Sequence, residues 1–249
     1  VSRSEKRKIK GRAKNNSKHQ PSKEILQWSK HFRNKGKIVE SKVYHKNHHE
    51  PYLYKFNNQG FRSKDFEVPE KNCYLALGGS DTFGTGNLYE DLWHQQLSKL
   101  TNTTIYNLGI GGGSSDTIAR LLSGWIEHIK PTKVFIAWPP MARWELFLED
   151  RIKILSVGSI SDERFESNKD FNEDYMKHYM LNDNNSIMNF YKNKIFVQAL
   201  CDKFNIKLYQ YYLTDIQSEY KNSFARDNSH AGVDLHTRIA KDFYNLLEE

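Results

Sequence analysis

The order of apolar runs in the 249-residue chain predicts an α/β fold, a parallel sheet covered by helices on both faces. Three observations carry the prediction. From Asn72 onward, short apolar runs alternate with stretches of helical spacing, and strands joined by helices require crossovers, hence parallel pairing. The first two runs end in glycine-rich turns, 78–86 and 109–113. Apolar residues make up only 38%, yet there are 14 Tyr, 14 Phe and 5 Trp. Each buried ring removes roughly 150–250 Å² from water, so a sizeable core is still available. The length fits one domain of up to about 250 residues, with or without an appendage.

Cys73–Leu77 (CYLAL) reads as a buried first strand. Leu88, Leu92, Leu97 and Leu100 have helical spacing, and Glu90 and Asp91 fall in the first turn, where the helix dipole favours acids. Thr104–Leu108 is the second strand. After it, Ser115 or Asp116 is placed to cap a helix bearing Ile118, Leu121, Leu122, Trp125, Ile126 and Ile129. Lys133–Trp138 (KVFIAW) is a third strand, stopped by Pro139-Pro140. A polar, irregular stretch near 156–185 precedes helical spacing over Ile187–Phe204, a fourth strand at Ile206–Tyr212 and a closing helix over Asp234–Leu247. There is no internal repeat. In such a sheet ligands bind outside the carboxyl ends of the strands. That rim receives Gly78–Thr82, the glycines of 109–113 and Pro139–Arg143. Asp227–His230 reaches it just before the last helix, if a further short loop or strand intervenes.

Charge divides the chain. The net charge is +7, but residues 1–50 hold 15 Lys+Arg against 4 Asp+Glu, while the remainder is mildly acidic. The opening stretch has Ile9 as its single large aliphatic through residue 20 and cannot bury enough surface to offset its ordering entropy. The expected organisation is a basic, largely flexible arm at 1–50, a connecting segment at 51–71 and a domain at 72–249. A basic arm can contact nucleic acid or another polyanion, or serve as a solvated tail. Within it, Ile25, Leu26, Trp28 and Phe32 suggest a short amphipathic helix.

Several classes are excluded. No apolar run reaches the roughly 18–20 residues that span a bilayer, so a transmembrane protein is not expected. The Lys/Arg-rich start has no apolar h-region and shows no secretory signal. A soluble protein, cytoplasmic or virion-associated, is the expectation. Cys73 and Cys201 are too few for a disulfide scaffold, and His45, His48 and His49 lack the companion ligands of a metal site. No metal or cofactor is expected.

The turn Gly78-Gly79-Ser80-Asp81-Thr82-Phe83-Gly84 lacks the Lys of a phosphate-binding loop, and Thr82 stands where a GxSxG elbow needs Gly. It reads either as an exposed serine on a strand-to-helix corner or as an ordinary corner of the same composition. In the second turn, Ser114 stands where a dinucleotide fingerprint wants Gly, and the third strand supplies no ribose-binding acid. Its glycines suit another role, offering a backbone N–H to a developing oxyanion. Asp227 and His230, three apart, allow a carboxylate to hold one imidazole nitrogen while the other faces a serine. An exposed turn is the alternative.

Taken in order, these segments resemble the SGNH (GDSL-like) hydrolase superfamily over roughly Asn72 to Leu247. The first block is similar to Gly78–Gly84, with Gly79 where the family carries Asp. The second is similar to Asn107-Leu108-Gly109-Ile110-Gly111-Gly112, and the last to Asp227 and His230. Asn57–Arg62 (NNQGFR) resembles a segment preceding the hydrolase domain in some microbial and phage relatives. The resemblance implies a three-layer sandwich on a flavodoxin-like sheet. It implies Ser80 as nucleophile, His230 as general base, Asp227 as its orienting acid, and the Ser80 and Gly112 N–H groups as oxyanion donors. The family's third donor, an Asn after the third strand, is missing: the aligned position falls near Met141. Arg143 offers a compensating cation or an anion-binding group; an ion pair with Glu145 or another acid is the alternative. His236 is expected to pack on the closing helix.

The expected function is a serine esterase that cleaves small acyl (acetyl) esters, on a carbohydrate by family likeness, through an acyl-enzyme. The alternative is a catalytically weakened hydrolase-like module with a binding or structural role in a viral or surface assembly. Neither reading specifies an oligomeric state.

Overall fold

The structure, a computed structural model, describes residues 37–40, 53–66, 69–147, 152–156, 179, 182–213 and 223–249. The helix expected at 25–32, the histidines His45, His48 and His49, most of the basic arm and most of the polar stretch 156–185 lie outside the described residues.

A short antiparallel pair, β1 (Ile38–Glu40) and β2 (Leu53–Lys55), precedes the main sheet. β3 (Cys73–Gly78) leads into the one-turn helix α1 (Ser80–Phe83), a 3-10 turn at Tyr89–Asp91 and α2 (Trp93–Thr101). β4 (Thr104–Asn107), α3 (Ser115–Ile129) and β5 (Lys133–Trp138) follow. An antiparallel hairpin of β6 (Arg143–Phe147) and β7 (Ile152–Ser156) comes next, then α4 (Asp183–Lys203), β8 (Lys207–Tyr212) and α5 (Val233–Glu248).

The main sheet is parallel throughout, in the order β4-β3-β5-β8. This is the start of a doubly wound, flavodoxin-like order, with the second strand outside the first. Side chains alternate between two cores, as the strand period of two requires. Cys73, Leu75 and Leu77 of β3 and Val134, Ile136 and Trp138 of β5 pack against α3 and α4. Tyr74, Ala76, Phe135 and Ala137 pack with Trp93 and Leu97 of α2 and Leu235, Ile239 and Phe243 of α5. Both faces of the central strands are covered, which is why those strands read as unbroken apolar runs. Phe61 and Phe66 complete the first core, edge-on to Trp125. The two cysteines are buried and unpaired; burial pushes the Cys73 thiol up to about 11.

Three expectations are corrected. The helix expected from Leu88 begins only at Trp93, because Leu92 is extended and its side chain fills the space beside Gly84. Glu90 and Asp91 therefore lie in the 3-10 turn. The cap of α3 is Ser114, not Ser115 or Asp116: its hydroxyl accepts from Thr117 N (3.2 Å) while Thr117 Oγ1 accepts from Ser114 N (3.1 Å). α4 starts four residues early, because Asn182 Oδ1 accepts from Asn184 N and Asn185 N. Residues after Pro140, where the sequence predicts no element, form the β6–β7 hairpin.

Candidate active site

Ser80 is the first residue of α1, directly beyond the carboxyl end of β3. A one-turn helix cannot satisfy its first N–H groups internally, so the backbone around Ser80 presents donors outward. The second glycine turn lies alongside: Ile110 N donates to Gly78 O (3.2 Å), and a Cβ on Gly113 would lie 3.5 Å from Gly79 Cα. Gly111 and Gly112 are exposed, and a Cβ on either would meet nothing within 4 Å. The Gly112 peptide thus borders open space beside the Ser80 turn.

Asp227 and His230 sit in a loop closed by an isolated antiparallel bridge between Phe224 and Ala231. Ala225 N donates to His230 O (2.8 Å) and Gly232 N to Ser223 O (2.8 Å). His230 Nδ1 lies 2.6 Å from Asp227 Oδ2; Asp227 Oδ1 accepts from Ser229 N (3.2 Å) and His230 N (3.1 Å). Burial works to raise the Asp227 pKa, but these hydrogen bonds and the imidazole charge outweigh it. The carboxyl is held well below the usual range. Asp227 is buried and its partner ring is partly open.

The two turns touch. Arg226 N donates to Gly86 O (3.1 Å), and Asn87 Nδ2 to Ala231 O (2.9 Å). Gly86 has φ +78, and a Cβ there would stand 2.8 Å from Asp227 Oδ1, so only a residue without one brings the turn this close. Asp81, next to Ser80, is buried, and burial raises its pKa against the pull of the His230 and Arg143 charges. The carboxyl of Asp81, the guanidinium of Arg143 and the Asp227–His230 pair therefore share one electrostatic site.

Arg143 begins β6. Its Nη1 would be 3.3 Å from a Cβ on Gly79 and reaches Gly113 O at 3.5 Å, so the guanidinium spans the first two turns. Burial lowers its pKa, opposed by Asp81. Glu145 is not its partner. Arg120 takes that carboxylate with Nε (2.7 Å) and Nη2 (2.8 Å), and Thr117 Oγ1 donates to it at 3.0 Å. Among the described residues Arg143 has no carboxylate within 4.0 Å.

Sequence reasoning missed the residues that brace this site. Asn107 Nδ2 donates to both Thr82 O and Arg62 O (3.1 Å each), and Arg62 reaches the carbonyls at the far end of α1. Asn107 was visible only as part of a motif, and an isolated Arg62 carries no periodic signal. Asp116, considered as a cap, instead joins three elements. Its Oδ1 accepts from Asn189 Nδ2 (2.8 Å) and Asn193 Nδ2 (2.7 Å), and its Oδ2 from Glu145 N (3.0 Å). His236 is fully buried on α5, as expected of a packing residue, with Nδ1 accepting from Trp93 N at 3.2 Å. Among the described residues no group of three His, Cys, Asp or Glu side chains could hold a metal ion. No helix among them is long and apolar enough to cross a membrane.

Fold and strand order define an α/β protein of flavodoxin-like topology with its polar cluster at the carboxyl rim of the sheet. No protein-family model and no curated protein matches the chain. Among solved structures it is similar to the psychrotrophic esterase EstA from a Pseudoalteromonas species, at 15% identity over 72% of this chain and 97% of that one, with a TM-score of 0.38. It is also similar to a family 3 carbohydrate esterase from Clostridium thermocellum, at 16% identity over 70% and 94% of the two chains and a TM-score of 0.38. A lipase/acylhydrolase from Enterococcus faecalis is 14% identical over 70% and 96%, with a TM-score of 0.34.

Proposed function

We propose that the protein is a serine ester hydrolase that removes small acyl groups, acetyl above all, from a carbohydrate through an acyl-enzyme. The observation that carries the reading is the Asp227–His230 pair, held at 2.6 Å in a loop that abuts the turn bearing Ser80. Asp227 holds the proton on His230 Nδ1, so that Nε2 is the nitrogen that takes the Ser80 hydroxyl proton as Oγ attacks the ester carbonyl. The carbonyl oxygen becomes an oxyanion that accepts from the Ser80 and Gly112 N–H groups. Arg143, lying across both turns, supplies the third donor in place of the missing Asn. His230 then passes its proton to the departing alkoxide, leaving the acyl group on Ser80. Water activated by the same imidazole releases it. The aromatic-rich composition suits a stackable sugar better than a long acyl chain.

The test is covalent labelling with a fluorophosphonate probe, read by peptide mapping, beside hydrolysis of p-nitrophenyl acetate. Modification at Ser80 and loss of both signals in a folded Ser80→Ala variant are expected. A folded wild-type chain that neither labels nor turns over a panel of acyl esters sinks the reading and favours a binding module.

A further inference from the structure

We infer that Arg62, from the segment ahead of the sheet, is a positioning residue that sets the attack geometry of Ser80 from the opposite end of α1. The inference rests on Ser80 being the nucleophile. A helix of one turn fixes several dihedrals for very few internal hydrogen bonds and cannot hold itself. Its last carbonyls also have no partner within the helix. At the end of α1 and in the turn after it, one guanidinium meets three carbonyls: Arg62 Nη1 donates to Phe83 O (3.2 Å) and Gly84 O (2.6 Å), and Nη2 to Asn87 O (2.8 Å). Only the planar fork of an arginine reaches three carbonyls at once in fixed directions.

The fork is itself immobilised. Arg62 is 2% exposed, and its guanidinium carbon lies 4.6 Å from the centre of the Tyr54 ring, with Tyr89 at 5.7 Å and Phe83 at 5.8 Å. Its own carbonyl accepts from Asn107 Nδ2, the same group that donates to Thr82 O within α1. Gly84, left-handed at φ +83, lets the chain pass between Arg62 and Leu92; a Cβ there would be 2.9 Å from Arg62 Nη1 and would run into the Leu92 methyls. The carbonyls gripped at the end of α1, those of Phe83 and Gly84, lie only three and four positions beyond Ser80, so a shift at one end of the turn is delivered to the hydroxyl at the other. The cation also faces the negative end of the helix dipole.

The full chain carrying Arg62→Lys or Arg62→Met decides this. The readouts are the rate of fluorophosphonate labelling at Ser80 per folded molecule, kcat and KM for p-nitrophenyl acetate, and the melting temperature. Misplacing a nucleophile by about 1 Å can cost about 100-fold. Labelling rate and kcat are therefore expected to fall about 100-fold in Arg62→Met and about 10-fold in Arg62→Lys, with KM unmoved. Should Arg62→Met fail to fold, Arg62→Lys, which keeps the charge but loses the fork, carries the comparison alone. A role confined to packing would lower the melting temperature and leave the rate per folded molecule unchanged; that result overturns the inference while Ser80 labelling stands. A wild-type chain without Ser80 labelling overturns both.

Discussion

Within residues 223–232 the hydrogen bonds that set the Asp227–His230 pair run between near neighbours: Asp227 holds Ser229 and His230, and Ala225 holds the His230 carbonyl. Around Ser80 they run between distant segments: Arg62 and Asn107 grip α1, while Arg143 arrives from β6. The first turn makes most of its own geometry, since a carboxylate three residues before an imidazole needs only a closed loop. The second borrows its geometry, because a one-turn helix has too few internal bonds to define itself. A local device is legible in a motif and hard to misplace. A borrowed one depends on everything that packs behind it.

The comparison breaks most sharply at Asp227. Asp227→Asn retains Oδ1 as acceptor for Ser229 N and His230 N, so the loop is expected to stay closed, but an amide opposite Nδ1 forces the wrong imidazole tautomer. A fall in kcat of about 10⁴-fold with unchanged circular dichroism is expected. At the borrowed turn, Arg143→Gln removes the cation without touching the dyad. The expected loss is about 10²–10³-fold in kcat, measured with p-nitrophenyl acetate, and a loss below threefold rules out a donor role.

Acid separates the buried histidines of α2 and α5 from the Asp227 loop by pH window. Burial, with the His236 and Arg62 charges, lowers His94 to about 3; burial and Arg62 lower His236 to about 3. Both histidines are neutral in the folded protein and take up protons near 6.5 when it unfolds, so the unfolded state binds more protons and stability falls as pH drops below about 6.5. Each contributes up to about 1.4 kcal/mol per pH unit, which makes a loss on the order of 2–3 kcal/mol between pH 6.5 and 5 reasonable. Asp227 has the opposite kind of shift for its type: its stabilisation is fully present above 3.8 and is lost only as pH falls below that value. Melting curves from pH 7 to 3 should therefore show the histidine loss first, and a flat profile down to pH 4 refutes the assignment.

The smallest effect belongs to the seam. Gly86→Ala puts a Cβ 2.6 Å from the Ala225 Cβ at a left-handed position, which costs about 1–2 kcal/mol for the backbone alone. Urea denaturation should show that loss, with activity reduced because the added methyl presses on Asp227.

Much of the frame was legible. β5 was read with the bounds it has, and β3 differs by one residue, because strands buried on both faces are continuously apolar. The start of α2 was misread because Leu92 keeps helical spacing while its backbone is extended to fill the space at Gly84. Ser114 was missed as a cap because Ser114, Ser115 and Asp116 are all good caps, and only the reciprocal bond with Thr117 selects among them. Glu145 looked like a partner for Arg143 because residues two apart on a strand share a face, but that spacing cannot show the rival cation on a neighbouring helix. The acid went to Arg120, and the guanidinium was left over the two glycine turns.

By itself, the chain's pattern determined the parallel α/β sheet, the rim on which its glycine turns lie, and the pairing of Asp227 with His230. Each of these depends on periodicity or on residues a few positions apart. Tertiary structure alone decided what holds Ser80: a guanidinium 18 positions upstream, an amide from the neighbouring strand and a cation from the β6–β7 hairpin. Such contacts exist only once the sheet has brought distant segments to one edge, and no local spacing encodes them.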